Sequence, residues 1–203
     1  MLRSAWFAIV PFSLFLTGCA VTSLEPTSFT PSYKLMEKTT PVVAAEPCAV
    51  LSNVVVEDAR KNKELGIRSL EQSPGVTQPV SLKGDPSAWV HDGAEAMLQR
   101  AKISTGVAGK PVLRLKIDRL TLNENIYRLA NYESNVDLTA EVVSSSGANA
   151  CWSMRLVGAA ENGGKPGSAE NYEETVNRAL DRAFLQLVYN SEFAAKLCGA
   201  CSR

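Results

Sequence analysis

Hydrophobic and polar positions alternate along much of the chain, and the alternation predicts four strands that each bury one face. In the second of these segments, the apolar positions change parity after Ile117. A strand keeps one face buried unless a residue is inserted, so we expect a β-bulge near Asp118 and Arg119. The four segments are residues 50–58, 112–122, 130–142 and 150–160.

Two further segments have the spacing of three and four residues that is typical of an amphipathic helix. The first begins at Asp85 and Pro86, an N-cap residue followed by proline at the first helical position. The second begins near Asn171, where Glu174 three residues later completes a capping-box-like start. Residues 59–84 are mostly polar and contain several glycines and prolines, which predicts a long loop.

These elements follow one another in the order βαβββα. The order predicts an α+β fold, a two-layer sandwich in which a four-stranded mixed sheet carries two helices on one face. Strands one, two and four would then run in one direction, and strand three and both helices in the other. The start of the first strand, the start of the fourth strand and the end of the last helix therefore meet at one end of the domain.

The N-terminal residues have the pattern of a signal peptide. One basic residue, Arg3, precedes an apolar run from Ala5 to Leu16, which is shorter than the roughly 20 residues that a transmembrane helix needs. The run ends in Leu-Thr-Gly-Cys, which resembles the bacterial lipobox. We therefore predict a lipoprotein signal peptide over residues 1–18 and lipid attachment at Cys19. An ordinary signal peptide followed by a chance cysteine is the alternative.

A lipid-modified cysteine predicts where the protein resides. Diacylglycerol and a further acyl chain such as palmitate on one residue would hold it on the membrane permanently. In lipoprotein sorting, aspartate after the cysteine favours the inner membrane, and here Ala20 follows. We therefore expect the periplasmic face of the outer membrane. Residues 19–47 are rich in Ser, Thr and Pro and are predicted to form a flexible tether, followed by a single periplasmic domain over residues 48–203.

Composition and charge argue against several functions. The chain has 203 residues, with 21 basic and 21 acidic side chains and a single histidine, His91. A formal net charge of zero lacks the basic excess on which nucleic-acid binding depends. One histidine makes a His-based metal site or a Ser-His-Asp triad improbable. We therefore expect a non-enzymatic protein with no metal ion, no cofactor and no nucleic-acid partner.

The predicted topology brings four further cysteines to one end of the domain, and four thiols allow three pairings. Cys48 shares the parity of the helix-side positions and Cys151 that of the outer face, so Cys48 is expected to pair with Cys198 or Cys201. Thiol oxidoreductases place their reactive cysteine at a helix N-terminus, where the dipole lowers its pKa. Cys198 and Cys201 instead follow a helix, which favours structural disulfides in an oxidising compartment.

The turn after the second strand carries Ile126, Tyr127 and Leu129 among polar residues. Apolar and tyrosine side chains at the end of a hairpin are candidates for a surface that binds a protein partner. They are equally suited to form a lid over the edge of the sheet. The sequence leaves both interpretations open.

The whole layout resembles the YajG-like lipoproteins, an uncharacterised family of the Gram-negative envelope. The resemblance covers about residues 48–198 and implies no catalytic residues. It implies a lipid-anchored protein that binds or supports an envelope partner. By analogy with other small lipoproteins, the alternative is an auxiliary subunit of a lipid- or lipopolysaccharide-transport system, or an activator of a peptidoglycan enzyme. The shared features are the lipobox at Cys19, the strand end Val56–Arg60, a helix with Met97 and Leu98, the strand after Gly-Lys-Pro, and a final helix with Asn177 and Phe193.

Overall fold

A computed structural model describes residues 27–36, 46–145, 150–199 and 201. The predicted signal peptide and Cys19 lie outside these residues. Within the described part of the chain, no helix is long and apolar enough to cross a membrane. The elements are β1 (Thr27–Phe29), β2 (Asn53–Asp58), β3 (Gly66–Leu70), β4 (Thr77–Leu82), α1 (Pro86–Arg100), β5 (Val112–Ile126), β6 (Ala130–Val143), β7 (Ala150–Gly164), α2 (Ala169–Val188) and α3 (Ser191–Cys198).

All of these strands join one mixed sheet of seven strands in the order β1-β4-β3-β5-β6-β7, with β2 also paired to β5. The last three strands are antiparallel neighbours of 14 or 15 residues each. On its other edge β5 is long enough to pair in parallel with β2 along its first half and with β3 near its end. The α+β class with a mixed sheet is confirmed. The expected four strands are too few.

The predicted loop over residues 59–84 is wrong, because it contains β3 and β4. These two strands form an antiparallel hairpin in which Gly66 lies opposite Val80. A Cβ at Gly66 would overlap the carbonyl oxygen of Leu122, so glycine allows β3 to approach β5. The hairpin buries few apolar side chains and has Pro79 inside β4, which explains why the sequence shows no alternation there.

The predicted flexible tether is also different over the residues that the structure describes. Thr27–Phe29 forms β1, which pairs in parallel with β4, and residues 30–36 continue without regular secondary structure across α2. We call residues 27–36 the strap. Its Phe29 is buried, so this part of the chain belongs to the folded domain.

Local sequence signals predicted the bulge in β5 and the start of α1 correctly, but not the start of α2. The register of β5 and β6 shifts between Ile117 and Arg119, which confirms the expected bulge. Asp85 caps α1 by accepting a hydrogen bond from the amide of Ser87 at 2.8 Å, as predicted. The start of the second predicted helix is different, because Ser168 is its N-cap and accepts a hydrogen bond from the Asn171 amide.

The final helix is interrupted rather than continuous to residue 198. α2 ends at Val188, and the side chain of Asn190 accepts a hydrogen bond from the Phe193 amide at 3.0 Å to begin α3. An asparagine side chain competes with the backbone for hydrogen bonds, which makes it a good cap and a poor interior residue. The interruption lets α3 turn against the ends of β6 and β7.

The core lies between the sheet and the two longer helices, which pack on the same face. Gly158 allows the closest approach, since a Cβ there would overlap the backbone of Ala179 in α2. The opposite face of the sheet carries ion pairs, such as those that Asp137 makes with Arg119 and Arg155. The buried inner-face residues of the long strands include Leu113, Leu115, Ile117, Leu120, Leu122, Val136, Leu138, Val142 and Leu156.

Candidate functional site

The long strands give the domain two distinct ends. β5 and β7 run from one end to the other, and β6 and α2 run in the opposite direction. The end that carries the cysteines is called the disulfide end. The opposite end, where residues 127–129 connect β5 to β6, is called the hairpin end. Both ends contain residues that the sequence marks as candidates for function.

Two disulfides close the disulfide end. Cys48 is bonded to Cys198 with a Cα–Cα distance of 4.9 Å, and Cys151 to Cys201 with a Cα–Cα distance of 5.8 Å. Both distances lie within the usual range for disulfides. The first bond is one of the two expected for Cys48. Together they tie the start of the domain and the start of β7 to the C-terminal residues.

An open groove of about 500 Å³ lies beside the Cys48–Cys198 disulfide. Apolar side chains line most of it, and Tyr189 at its rim is 46% exposed. Glu46 is the one acidic residue in its lining. The volume falls within the range of pockets that bind small molecules or a partner's side chains. The apolar lining residues are Ile103, Val188, Phe193, Ala194 and Ala195.

The tip of the β5–β6 hairpin exposes two of the three residues predicted as a partner surface. Tyr127 is 53% exposed and Leu129 is 69% exposed, and the Arg128 guanidinium lies 5.7 Å from the centre of the Tyr127 ring. Ile126 is different, because it is only 8% exposed and belongs to the core. It keeps the inner-face parity of Leu122. The predicted surface therefore reduces to residues 127–129.

The alternative of a lid over the sheet edge finds no support in the pairing of the strands. β3 already occupies that edge of β5, with Leu70 opposite Ile126. The amide of Glu71 also donates a hydrogen bond to the carbonyl oxygen of Ile126 at 3.0 Å. The three tip residues thus project past a closed edge.

A buried ion pair lies just inside the hairpin end. Glu124 is fully buried and accepts hydrogen bonds from Arg68 Nε at 2.5 Å, from the Gly167 amide at 2.7 Å and from the Tyr172 hydroxyl. Arg68 also donates to Thr27 Oγ1 at 3.0 Å. We call Arg68, Glu124 and Tyr172 the buried cluster. Because protein donors engage both carboxylate oxygens, the cluster is better suited to hold elements together than to transfer protons.

Aromatic packing surrounds the buried cluster. The rings of Phe29 and Tyr172 stack at 5.5 Å, and Tyr132 meets Tyr172 edge-on at 5.0 Å. Burial, and then the hydrogen bond to Glu124, raise the pKa of Tyr172 above its ordinary value. The hydroxyl therefore remains a proton donor at neutral pH. Sequence reasoning missed this cluster, although Glu124 occupies an inner-face position of β5 between Leu122 and Ile126, which is an unusual place for a carboxylate.

The strap is fixed to one face of α2 by polar contacts. The Tyr33 hydroxyl donates to Asp181 Oδ1 at 2.6 Å, and the Met36 amide donates to Asp181 Oδ2 at 2.7 Å. Asn177 Nδ2 donates to the carbonyl oxygen of Ser32 at 2.9 Å. Burial and the contact with Asp181 raise the pKa of Tyr33. These contacts advance along α2 toward the disulfide end, so the strap enters the domain from the hairpin end.

The pairing of β1 gives its position and direction relative to the two ends. Thr27 pairs with Val80, and Val80 pairs with Gly66 on its other side. Gly66 in turn lies beside Leu122 of β5. Residue numbers in β1 decrease toward the hairpin end. Seven residues, 20–26, lie between Cys19 and Thr27 in the sequence. An extended chain covers at most about 3.6 Å per residue, so the eight steps from Cys19 to Thr27 span no more than about 29 Å.

The outer edge of β7 is not available for pairing with a partner strand near its middle. The Gln186 side chain accepts from the Val157 amide at 3.2 Å and donates to the Val157 carbonyl oxygen at 2.5 Å. Arg182 donates to the carbonyl oxygen of Ala159 at 2.7 Å. Side chains of α2 thus satisfy the backbone groups that an added strand would need.

Other polar residues singled out in the sequence form local contacts. Arg60 holds Asp58 with two side-chain hydrogen bonds of 2.8 and 3.0 Å, and this contact holds the pKa of Asp58 well below its usual range. His91 lies on α1 at 3.8 Å from Asp92. In the described ranges, no group of histidine, cysteine, aspartate or glutamate is placed to hold a metal ion.

The comparisons with known proteins identify the fold but not a family. No family model matches the chain, and no curated protein matches it. A crystal structure of protein XCC0632 from Xanthomonas campestris, described under the family model DUF330, is similar with a TM-score of 0.52 and 14% identity, covering 84% of this chain and 97% of that one. At this identity the similarity shows the fold alone.

A crystal structure of a homologue of a neuraminyllactose-binding hemagglutinin from Helicobacter pylori also matches. Its TM-score is 0.44 at 8% identity, over 78% of this chain and 94% of that one. Membership of the YajG-like lipoproteins is not shown by these matches.

Proposed function

We propose that the protein is a YajG-like periplasmic lipoprotein, anchored at Cys19 and without enzymatic activity of its own, that binds a partner in the cell envelope. The strap is the observation that carries this proposal. Because residues 27–36 are packed on the domain, only seven residues lie between Cys19 and the strap. The domain is then held close to the membrane, with the hairpin end nearer to it.

The two disulfides support a location outside the cytoplasm. Disulfides persist in oxidising compartments such as the bacterial periplasm and are rare in the cytosol. Cys48–Cys198 closes a separation of 150 residues and Cys151–Cys201 one of 50, so both bonds join segments that are far apart in the sequence. Ala20 after Cys19 supports the outer membrane as the destination.

The groove at the disulfide end is the proposed binding surface for the partner. It lies at the end of the domain that faces away from the anchor, where a protein in the periplasm has access to it. Tyr189 at its rim and Phe193 in its lining are aromatic residues of the kind that contribute most to protein interfaces.

An auxiliary role in envelope lipid transport is the second candidate. The observation that favours it is the apolar lining of the same groove, whose volume of about 500 Å³ suits part of a lipid chain. A transport subunit of this kind would bind both a lipid and a protein of the transport system.

Replacement of Cys19 tests the anchor directly. The Cys19→Ala variant, exported by a cleavable signal peptide, is expected in the soluble periplasmic fraction, because the described residues contain no helix that could span a membrane. Labelling with radioactive palmitate should fail for this variant and succeed for the wild type. A Cys19→Ala protein that still sediments with membranes in high salt would contradict the anchor.

Photocrosslinking in intact cells tests the binding surface. A photoreactive amino acid at Tyr189 or Ala194 should crosslink to one specific envelope protein. The same amino acid at Val55, which is 43% exposed on β2, serves as the control and should not yield that product. Absence of any product from the groove positions, with products from Val55, would contradict the proposed surface.

A further inference from the structure

We propose that residues 127–129 at the hairpin tip form a membrane-contact surface, which inserts Tyr127 and Leu129 into the headgroup region of the phospholipid bilayer that carries the anchor. This inference rests on the proposed function, since it requires a lipid-anchored chain. It extends that function by assigning a second, protein-based contact with the lipid surface.

The exposure of the tip is the first observation. Among the described residues, Leu129 at 69% and Tyr127 at 53% are the two most exposed large hydrophobic side chains. They flank a single charged residue, Arg128, at the turn of one hairpin. Elsewhere in the described chain, exposed apolar side chains are spread over different elements, such as Val55, Ile67 and Tyr189.

The residue types at the tip match the chemistry of a membrane interface. Tyrosine is enriched at the level of the lipid headgroups, where its ring is apolar and its hydroxyl remains hydrated. An arginine places its aliphatic part against apolar groups and its guanidinium near phosphates. The Tyr127 amide donates to the Leu129 carbonyl oxygen at 3.1 Å, so part of the turn's backbone is already satisfied before it leaves water.

The position of the tip relative to the anchor identifies the lipid surface as its occupant. Thr27 lies in the same row as Val80 and Gly66, beside Leu122. Ile126 is four residues farther along β5, which places the tip about 13 Å beyond Thr27 toward the hairpin end. The eight steps of the chain from Thr27 to Cys19 span at most about 29 Å. The tip therefore lies on the side of Thr27 at which β1 begins, and its distance from Thr27 falls within the reach of the chain from Cys19.

The contact is weak by itself and depends on the anchor. Two side chains that enter only the headgroup region bury little apolar area in the membrane, and membrane binding scales with that area. Once Cys19 is inserted, the tip meets the bilayer as an intramolecular event at high effective concentration. The contact would then orient the domain rather than hold it on the membrane.

Depth-dependent fluorescence tests the contact with the full mature lipoprotein in vesicles of phosphatidylethanolamine and phosphatidylglycerol. An environment-sensitive nitrobenzoxadiazole label is placed on Arg128→Cys, with both disulfides intact, and in a second sample on Tyr189→Cys at the disulfide end. We expect blue-shifted emission and quenching by headgroup-region nitroxide lipids at position 128, and water-like emission without quenching at position 189. Equal, water-like emission at both positions would overturn the inference.

Flotation of the same vesicles separates the two proposals. A chain that floats with the vesicles while position 128 remains in water would overturn the membrane contact and leave the anchor standing. A wild-type chain that fails to float would overturn the anchor, and the membrane contact with it. Emission at position 128 that shifts only in crude envelopes, and not in pure lipid, would show that the tip binds a protein instead.

A matched variant tests the side chains themselves. Tyr127→Ser combined with Leu129→Ser should reduce nitroxide quenching of the label at position 128 at least twofold. Its denaturation midpoint should equal that of the parent, because both side chains are exposed. Unchanged quenching in this variant would overturn the assignment of the contact to these two residues.

Discussion

The two ends of the domain are held together by different kinds of interaction. The disulfide end is closed by Cys48–Cys198 and Cys151–Cys201. The hairpin end depends on the buried cluster around Glu124, which joins β3, β5, β1 and the start of α2 without a covalent bond. Covalent closure depends on the redox state of the compartment, whereas a buried ion pair depends on each partner being present. The two ends should therefore fail under different conditions.

The largest effect is expected from removal of the longer disulfide. Cys48→Ala combined with Cys198→Ala opens a separation of 150 residues, and the loop-entropy relation gives a loss of about 5 kcal/mol in the free energy of unfolding. The corresponding pair of changes at Cys151 and Cys201, with a separation of 50 residues, gives about 4 kcal/mol.

Denaturant unfolding with and without reductant measures both losses. The wild type should lose a large part of its midpoint on reduction, since the loss is comparable to the whole stability of a small domain. A wild-type midpoint that does not move with reductant would show that the disulfide end does not depend on its covalent bonds.

The next effect concerns the hairpin end. Arg68→Met leaves the Glu124 carboxylate fully buried without its cationic partner, which typically costs about 3–5 kcal/mol. Arg178→Met is the matched control, because Arg178 pairs with Glu174 on the surface of α2 and such pairs contribute about 0.3–0.5 kcal/mol. Equal losses for the two variants would mean that the buried cluster does not hold the hairpin end.

The strap contributes a smaller amount. Tyr33→Phe removes the hydrogen bond to the buried Asp181 carboxylate, and hydrogen bonds to charged groups contribute about 1.5–3 kcal/mol. Limited proteolysis should cut residues 27–36 faster in this variant, while the disulfide-linked fragments stay together. Tyr127→Phe, which changes only an exposed hydroxyl, should be cut at the wild-type rate.

Alkaline pH should give the smallest effect, and it should act on the hairpin end and strap. The pKa values of Tyr33 and Tyr172 are raised in the folded protein, first of all by burial. Tyrosine in the unfolded chain ionises near pH 10. The stabilisation linked to these two groups is therefore fully present below that pH and is lost as the pH rises above it. The denaturation midpoint should fall less between pH 10 and 11 in Tyr33→Phe than in the wild type.

The alternation of apolar residues was enough to predict β5, β6 and β7, because each buries one face against the helices and exposes the other. It also located the bulge before Arg119, since parity changes only where a residue is inserted. β3, β4 and the strap were missed for the same physical reason. They lie toward one edge of the sheet and bury few apolar side chains, so hydrophobic patterning marks them weakly.

The candidate site was predictable only in part. The exposed tip residues Tyr127 and Leu129 were identified, but Ile126 was wrongly grouped with them. The predicted strand ended at Leu122, whereas β5 continues to Ile126 and buries its side chain on the inner face. The buried cluster joins Glu124 to Arg68, which is 56 residues earlier in the sequence, and to Tyr172, which is 48 residues later. A single sequence shows such a cluster only as an isolated charge at a buried position.

The orientation of the domain on the membrane is the central claim, and energy transfer to the lipid surface tests it most directly. A donor dye on Arg128→Cys or on Tyr189→Cys is used with the full mature chain in vesicles that carry an acceptor-labelled lipid. Asn190, next to Tyr189, contacts Met154, which lies in the row of Leu115. Leu115 is 11 residues from Ile126 in β5, so the two positions are about 36 Å apart along the sheet at roughly 3.3 Å per residue. We expect efficient transfer from position 128 and little from position 189. Equal transfer from both positions, or stronger transfer from position 189, would contradict the account.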